Sequence, residues 1–505
     1  GLAVAGVAVL MNVTKTGLIP DEDTGTIFVN VTTPAGSTLA QTQKTMKEVA
    51  DSISSIGEIE GFSNVAGYSM LGGQSASGGM IIVKLKNWSQ RRGDEHDINA
   101  VIGKITAKTA GIKSGSVFAF AQPTIMGYGT SNGFELYVQD RKGGSVDELM
   151  EHTTAFIAAL NKRPEVQMAY TTFDTKFPQY LVEVDAAKCE RAGITPTAVL
   201  DVLNGYIGGN YASNFNEFSK LYRVIIQADS RYRLDGEALD NMFVRTGSGA
   251  MAPVGQFITL TKVYGAELLT RFNLYTAVAV NGLPADGYST GDCIRAVEEV
   301  AAATLPTGYG YEYSGMTREE AGSSGNTIVI FAICLVFVYV ILCALYESLF
   351  IPLAVMLSVP FGLLGSFLFA LAFGLENNIY MQVGLIMLIG LLAKTAILLT
   401  EYASERRREG MTIAAAAMSA AGARLRPFLM TALAMVIGML PLAMSSGAGA
   451  NGNVSLSMGV IGGLTVGIAC LLFVVPAFFI AFQAMQERLM PARNFNEETN
   501  VEVKL

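Results

Sequence analysis

Lys394 lies inside an apolar run, between Gly390-Leu-Leu-Ala and Thr395-Ala-Ile-Leu-Leu. An ammonium at membrane depth costs roughly 2.5–3.5 kcal/mol and usually faces a bundle interior, paired with an acid. Between Thr327 and Gln486 there is no Asp, and Glu347, Glu376, Glu401, Glu405 and Glu409 stand at or beyond the ends of apolar runs. Glu401 is the closest in sequence, on the same face and roughly 10 Å along a helix axis at 1.5 Å per residue. The partner carboxylate is therefore expected from protein outside this sequence. The competing reading is that Lys394 stretches toward the nearer aqueous end. Because ionisable side chains inside membranes are functional by default, a functional role is the reading taken.

Two further side chains bear on that role. Thr431 follows Pro427 by one turn, and its hydroxyl could join a proton or water relay. A bond back to its own helix is the commoner use of such a Thr. Arg424 precedes Pro427 within two turns of Thr431. It reads either as an interfacial anchor or as the exit of a relay.

In the more polar part of the chain, Gly67 to Gly79 is rich in Gly and Ser and carries Tyr68, Met70 and Leu71. Glycine gives such a loop freedom, and the apolar side chains give adaptable contact. Phe118, Phe120, Phe134 and Tyr137 are candidates for a pocket wall, although strand aromatics are more often core. Met70, Met80 and Met126 raise soft-metal export as an alternative. With two histidines, five cysteines and no CxxC, no metal or cofactor site is expected. No GxSxG, HExxH or GxxxxGK[ST] occurs, so neither a nucleophilic hydrolase nor ATP-driven work is indicated.

The elements that must position these residues follow from composition. The 505 residues are 51% hydrophobic and 15% charged, with a net charge of −8 and a mean hydropathy of +0.39. This makes a wholly soluble protein improbable and gives no nucleic-acid signal. Residues 327–486 hold only 11 of the 78 charged side chains. Uncharged runs predict spans at Asn326–Tyr346, Ser348–Leu375, Asn377–Thr400 (broken only by Lys394), and two within Pro427–Gln486. Gly1 to Thr14 is uncharged and reads as the outer part of a further helix whose start is missing, giving six spans. Arg406, Arg407, Arg408, Arg424 and Arg426 make 402–426 a cytoplasmic loop by the positive-inside rule, which leaves residues 13–325 outside.

That external region shows an internal repeat. Strand and helix patterns run β-α-β-β-α-β from Thr26 to Ala121, the split βαβ unit. A second copy starts at Phe134, is interrupted by residues 173–266, and resumes at Thr276. The insertion carries its own strand at Tyr180–Asp185, helices around Ala186–Leu203, and a projecting Gly/Asn-rich segment at Asn204–Asn216.

Motifs along the whole chain resemble the C-terminal half of a resistance–nodulation–division (RND) multidrug efflux transporter of the drug and amphiphile branch. They include Leu18-Ile-Pro-Asp-Glu-Asp-Thr-Gly25, Pro34-Ala-Gly-Ser-Thr38 and Ala344-Leu-Tyr-Glu-Ser348. Gly390-Leu-Leu-Ala-Lys-Thr-Ala-Ile397, Arg424-Leu-Arg-Pro-Phe-Leu-Met-Thr431 and Ser446-Gly-Ala-Gly-Ala450 complete the set. The resemblance implies an α+β membrane protein with six transmembrane helices, the first truncated (1–12). It implies two ferredoxin-like porter subdomains, 13–135 and 136–172 with 267–315, the second interrupted by a funnel or docking subdomain at 173–266. A five-helix bundle at 326–486 and a cytoplasmic tail at 487–505 would follow. It further implies a trimer in the inner membrane of Gram-negative bacteria, joined to a periplasmic adaptor and an outer-membrane channel, exchanging protons for drugs without a cofactor. Lys394, Thr431 and Arg424 match the proton relay, whose aspartates belong to the N-terminal half. Tyr68, Met70 and Ile82 stand at drug-cleft positions where the family often has Phe. Phe134 matches a pocket aromatic, and Leu136 replaces a Phe. Besides metal export, a non-transporting accessory of secretion is the remaining alternative.

Overall fold

The computed structural model describes residues 2–129, 132–233, 236–285, 287–323 and 326–489. They fall into two units, Gly1–Phe173 with Leu269–Leu505, and Asp174–Leu268.

The larger unit opens with α1 (Leu2–Val13), which is uncharged along its length. A segment without helix or ladder leads to β1 (Thr26–Thr32), α2 (Leu39–Ile53), β2 (Ile59–Ser69), β3 (Gly73–Leu85), α3 (Ile98–Thr109) and β4 (Ser116–Ala121). The strands form one antiparallel sheet in the order β2-β3-β1-β4. Period-two alternation turns Ile27, Val29 and Val31 of β1 to one face, where they are fully buried with Met46, Val49 and Ile53 of α2 and Val101 and Ile105 of α3. Burial of each such side chain stabilises by about 1.5–3 kcal/mol. The Thr38 hydroxyl accepts from Gln41 N and the Asp97 carboxylate from Asn99 N, so each helix starts at a side-chain cap.

A second set follows: β5 (Phe134–Asp140), α4 (Val146–Leu160) and β6 (Val166–Tyr170). The chain then enters the smaller unit. There β7 (Phe177–Val184), longer at its start than the expected strand, is followed by α5 (Ala186–Arg191) and α6 (Pro196–Leu203). β8 (Asn210–Glu217) and β9 (Lys220–Ile226) form a hairpin whose turn residues Phe218 and Ser219 both have positive φ. β10 (Phe243–Arg245), β11 (Met251–Pro253) and β12 (Ile258–Gly265) complete the unit, β12 pairing with β7. Its core is built on Cys189, Val199, Met242, Val244 and Val254.

On return to the larger unit come β13 (Thr270–Phe272), β14 (Tyr275–Pro284), α7 (Thr290–Thr304), β15 (Tyr309–Tyr313) and α8 (Gly315–Ser323). These strands join the second sheet in the order β13-β14-β5-β15, with β6 also on β14. Ser289 and Asp292 form a reciprocal capping box that starts α7.

The described residues that follow are mainly helical: α9 (Asn326–Tyr346), α10 (Ile351–Met356), α11 (Val359–Ala372), α12 (Ile379–Arg408), α13 (Ile413–Ala443) and α14 (Ala450–Leu489). Among the described residues five stretches are long and apolar enough to cross a membrane, and Ala3–Val13 is a shorter apolar helix. Two details differ from the sequence reading. Ser348–Leu375 is not one continuous helix: it divides at Leu357–Ser358, just before Pro360, which has no N–H to continue the ladder. Residues 402–426 are mostly helix rather than loop. α12 runs on to Arg408, where Arg406 pairs with Glu409 at 3.0 Å, and α13 starts at Ile413 with the Thr412 hydroxyl accepting from Ala415 N. The alanine-rich stretch after Thr412 favours helix whatever its depth. Most of the expected tail, 487–505, lies beyond Leu489 and so outside the described residues.

α11 and α14 cross closely through glycines. A side chain on Gly463 would collide with Leu388 and Ser366 and come within 3.0 Å of the Gly362 carbonyl oxygen. Small residues at such crossings let backbones approach, which is how apolar helices pack where water gives no driving force.

Candidate functional site

Lys394, Arg424 and Thr431 come together. With Thr395, Leu398, Pro427, Phe428 and Met435 they line one small cavity of about 60 Å³ between α12 and α13. Lys394 is exposed on the surface of this chain. Among the described residues none gives it an ion pair or hydrogen bond. The Thr431 hydroxyl bonds back to the Pro427 carbonyl on its own helix. That bond and relay duty are compatible, since a hydroxyl both donates and accepts.

Arg424 is held by a residue that sequence reasoning missed. Its guanidinium carbon lies 4.9 Å from the centroid of the Tyr402 ring. Arg406 lies over the same ring at 5.1 Å and donates to the phenol oxygen at 2.7 Å. The Arg424 Nε has no hydrogen-bond partner among the described residues. Cation–ring attraction of this kind is worth ~0.5–2 kcal/mol. The signal was present as Tyr402 and Arg406 four residues apart on one helix face.

The second assembly is the face of the first sheet turned away from α2 and α3. Phe28, Met80 and Phe120 are buried there, with Met70, Leu71, Ile82 and Phe118 packed on them. Phe28 and Phe120 meet edge to face at 5.9 Å, and Phe118 stacks on Phe120 at 5.6 Å. Phe118 also touches Tyr170 of β6 at 4.9 Å, so both sheets contribute. Tyr68 is 43% exposed near the turn between β2 and β3. Met126 is 63% exposed and stands outside this cluster. Phe28 was missed: alternation in Thr26–Thr32 sets it on the face opposite Ile27, Val29 and Val31, but the helices that cover that second set are what decide which face is which.

Phe134 and Leu136 stand elsewhere. They are 1% and 0% exposed, in the core of the second sheet beneath α4 and α7. β5 is an inner strand, and Phe134 is directly opposite Gly282 of β14, where any side chain would collide with its ring. In this chain both side chains pack the core of the second sheet.

A buried acidic junction lies outside the helical spans. Glu22 accepts from the backbone N–H of Asn451 and Gly452 at 3.2 and 2.8 Å, at the first turn of α14. Glu320 is pushed up to about 7 by burial, against a hydrogen bond from Thr290 and with help from Glu376 and Asp21. Burial also raises Glu376. Chain contacts meet here: Asn377 N donates to Lys15 O, Ile379 N to Leu18 O, and Gly291 N to Thr16 O. The segment 15–18 therefore joins the start of α12 to α7.

These features define a membrane protein of mixed strand and helix structure, with a cation-lined cavity among its apolar helices. The AcrB/AcrD/AcrF family model matches residues 1–483, and the chain belongs to that family of RND efflux transporters. It is 34% identical over 505 residues to the multidrug/solvent efflux pump membrane transporter MepB of Pseudomonas putida, covering 98% of this chain and 47% of that protein. Toluene efflux pump membrane transporter TtgB of Pseudomonas putida is likewise 34% identical, with 98% and 47% covered. Multidrug export protein AcrF of Escherichia coli (strain K12) is 34% identical over 492 residues, with 95% and 47% covered. The chain spans about half the length of these relatives.

Proposed function

We propose that this chain is the C-terminal half of a proton-driven exporter of drugs and amphiphilic compounds. The observation that carries the reading is the convergence of Lys394, Arg424 and Thr431 on one cavity, with no carboxylate of the described residues on the ammonium. An N-terminal half of the same transporter would supply the relay aspartates. The names of the relatives, multidrug, solvent and toluene efflux pumps, support the substrate class.

In this reading residues 13–325 lie in the periplasm of a Gram-negative bacterium and the spans in its inner membrane. The two sheets are ferredoxin-like porter subdomains, and residues 173–266 form the funnel or docking subdomain. Protonation of the aspartates releases Lys394, the spans shift, and the segment 15–18 passes the shift to α7 and the second sheet. The cleft lined by Tyr68, Met70, Ile82 and Phe118 then changes its affinity, without which a coupled ion drives nothing. The working assembly is a trimer with a periplasmic adaptor and an outer-membrane channel. It hydrolyses no ATP, and the proton is its coupling ion.

The test is cellular. Lys394→Ala in the whole transporter is expected to raise intracellular drug accumulation to the level of cells treated with a protonophore, with membrane insertion unchanged. Accumulation as low as that of the wild type would overturn the proposal.

A further inference from the structure

The apolar face of the first sheet carries one amide in its middle. Ile82, Phe28 and Phe120 stand side by side across β3, β1 and β4, and the next row is Met80, Asn30 and Phe118. Asn30 is 6% exposed, so its amide is buried between a thioether and an aromatic ring. Its Nδ2 donates to Thr32 Oγ1 at 3.2 Å, and its Oδ1 accepts from the Ser69 hydroxyl. Ser69, also buried, accepts in turn from Leu71 N at 3.2 Å and Gly72 N at 3.1 Å. Gly67 and Gly73 flank this turn with positive φ. Thr172, beyond β6, donates to the Leu71 carbonyl at 3.2 Å. The turn is thus fastened over the apolar face, and within the first sheet the fastening is Asn30.

A buried amide left without its partner costs ~1–3 kcal/mol. The turn therefore lifts at low cost only when another donor takes the place of the Ser69 hydroxyl. A site built to hydrogen-bond a group rejects the analogue that lacks it more strongly than a hydrophobic pocket rejects a change of size.

We propose that Asn30 is the specificity-determining residue of this cleft, with Ser69 as its internal ligand. Amphiphiles that present an O–H or N–H to Asn30 Oδ1 displace Ser69 and are selected over hydrocarbons of the same shape. This rests on the reading of the face as the drug-binding surface. It adds a hydrogen-bonding requirement that shape and apolar area do not contain.

The experiment compares 2-naphthol with 2-methylnaphthalene, which differ by a hydroxyl in place of a methyl. Binding is measured by fluorescence titration of the whole transporter in amphipol, for wild type, Asn30→Leu, Ser69→Ala and Phe118→Ala. The wild type is expected to prefer the naphthol. Asn30→Leu should lower that preference about tenfold. Ser69→Ala, which removes the competitor and leaves Asn30 in place, should raise it. Opposite shifts cannot come from a general loss of folding. Equal preference in wild type, Asn30→Leu and Ser69→Ala, or shifts of the same sign, would overturn the proposal while leaving the cleft intact. Phe118→Ala should weaken both ligands. If it weakens neither, the reading of this face fails, and the role of Asn30 with it.

Discussion

The Ser366 hydroxyl of α11 donates to the Gly459 carbonyl of α14 at 2.6 Å. A side-chain hydroxyl reaches a main-chain carbonyl across two helices only where the backbones nearly touch. Gly362 and Gly365 on one side and Gly462, Gly463 and Gly467 on the other allow that approach. Gly463→Val is expected to destabilise the purified protein by about 1–3 kcal/mol. Gly438→Ala, at a position with nothing within 4 Å, should leave stability unchanged or raise it. Thermal unfolding in detergent separates the two outcomes.

Glu22 anchors the start of the longest helix. Its buried carboxylate takes two N–H groups of the first turn of α14, where the helix dipole also favours negative charge. Glu22→Ala should cost about 0.5–2 kcal/mol, as loss of a helix cap does. The loss should show as faster amide exchange at Asn451 and Gly452 before any change elsewhere. Uniform exchange across α14 would argue against a local cap.

The acidic junction makes stability depend on pH. Burial raises Glu320 to about 7, so the folded protein holds its proton more tightly than the unfolded chain. Its contribution is therefore complete below the ordinary carboxylate range and is lost as pH rises through about 7. The melting temperature should fall between pH 5 and pH 8, and Glu320→Gln should flatten that fall. A melting temperature that climbs through this window would contradict the sign.

Phe134→Ala tests where function and packing part. Deleting a fully buried ring should destabilise by about 3–5 kcal/mol. The preference between hydroxylated and methylated ligands should stay as in the wild type, because the ring faces the core beneath α4 and α7. A changed preference with unchanged stability would restore the cleft role that the sequence suggested.

The limits of the sequence have physical reasons. Lys394 stood out because a charge inside an apolar run has few explanations, whereas Thr431 and Arg424 each had a plainer reading, a bond to its own helix and an interfacial anchor, and came forward through the resemblance. The spacing of Tyr402 from Arg406 was legible, but nothing in a one-dimensional pattern says that α12 and α13 bring the Tyr402 ring over Arg424. Phe134 and Phe28 show the same gap from two sides. Both are aromatic residues on strands, and alternation alone does not say which face is covered by helices. The sheet pairing decides it, placing Phe28 opposite Ile82 and Phe120, and Phe134 opposite Gly282. Apolar runs located the long apolar helices, but charge was a poor guide to helix ends. Arg406 pairs with Glu409 and Arg407 with Glu487 at 2.8 Å, so the helices continue beyond the apolar stretch.

The Lys394 ammonium is the centre of the proposed proton path. Its most direct test is proton release from proteoliposomes holding the whole transporter, with an imposed pH gradient and a pH-sensitive dye outside. Wild type should move protons only when a transported drug is present, and Lys394→Ala should reduce that drug-dependent flux at least about 100-fold, in line with losing an essential proton-transfer group. Drug-dependent flux at the wild-type rate in the variant would contradict the account.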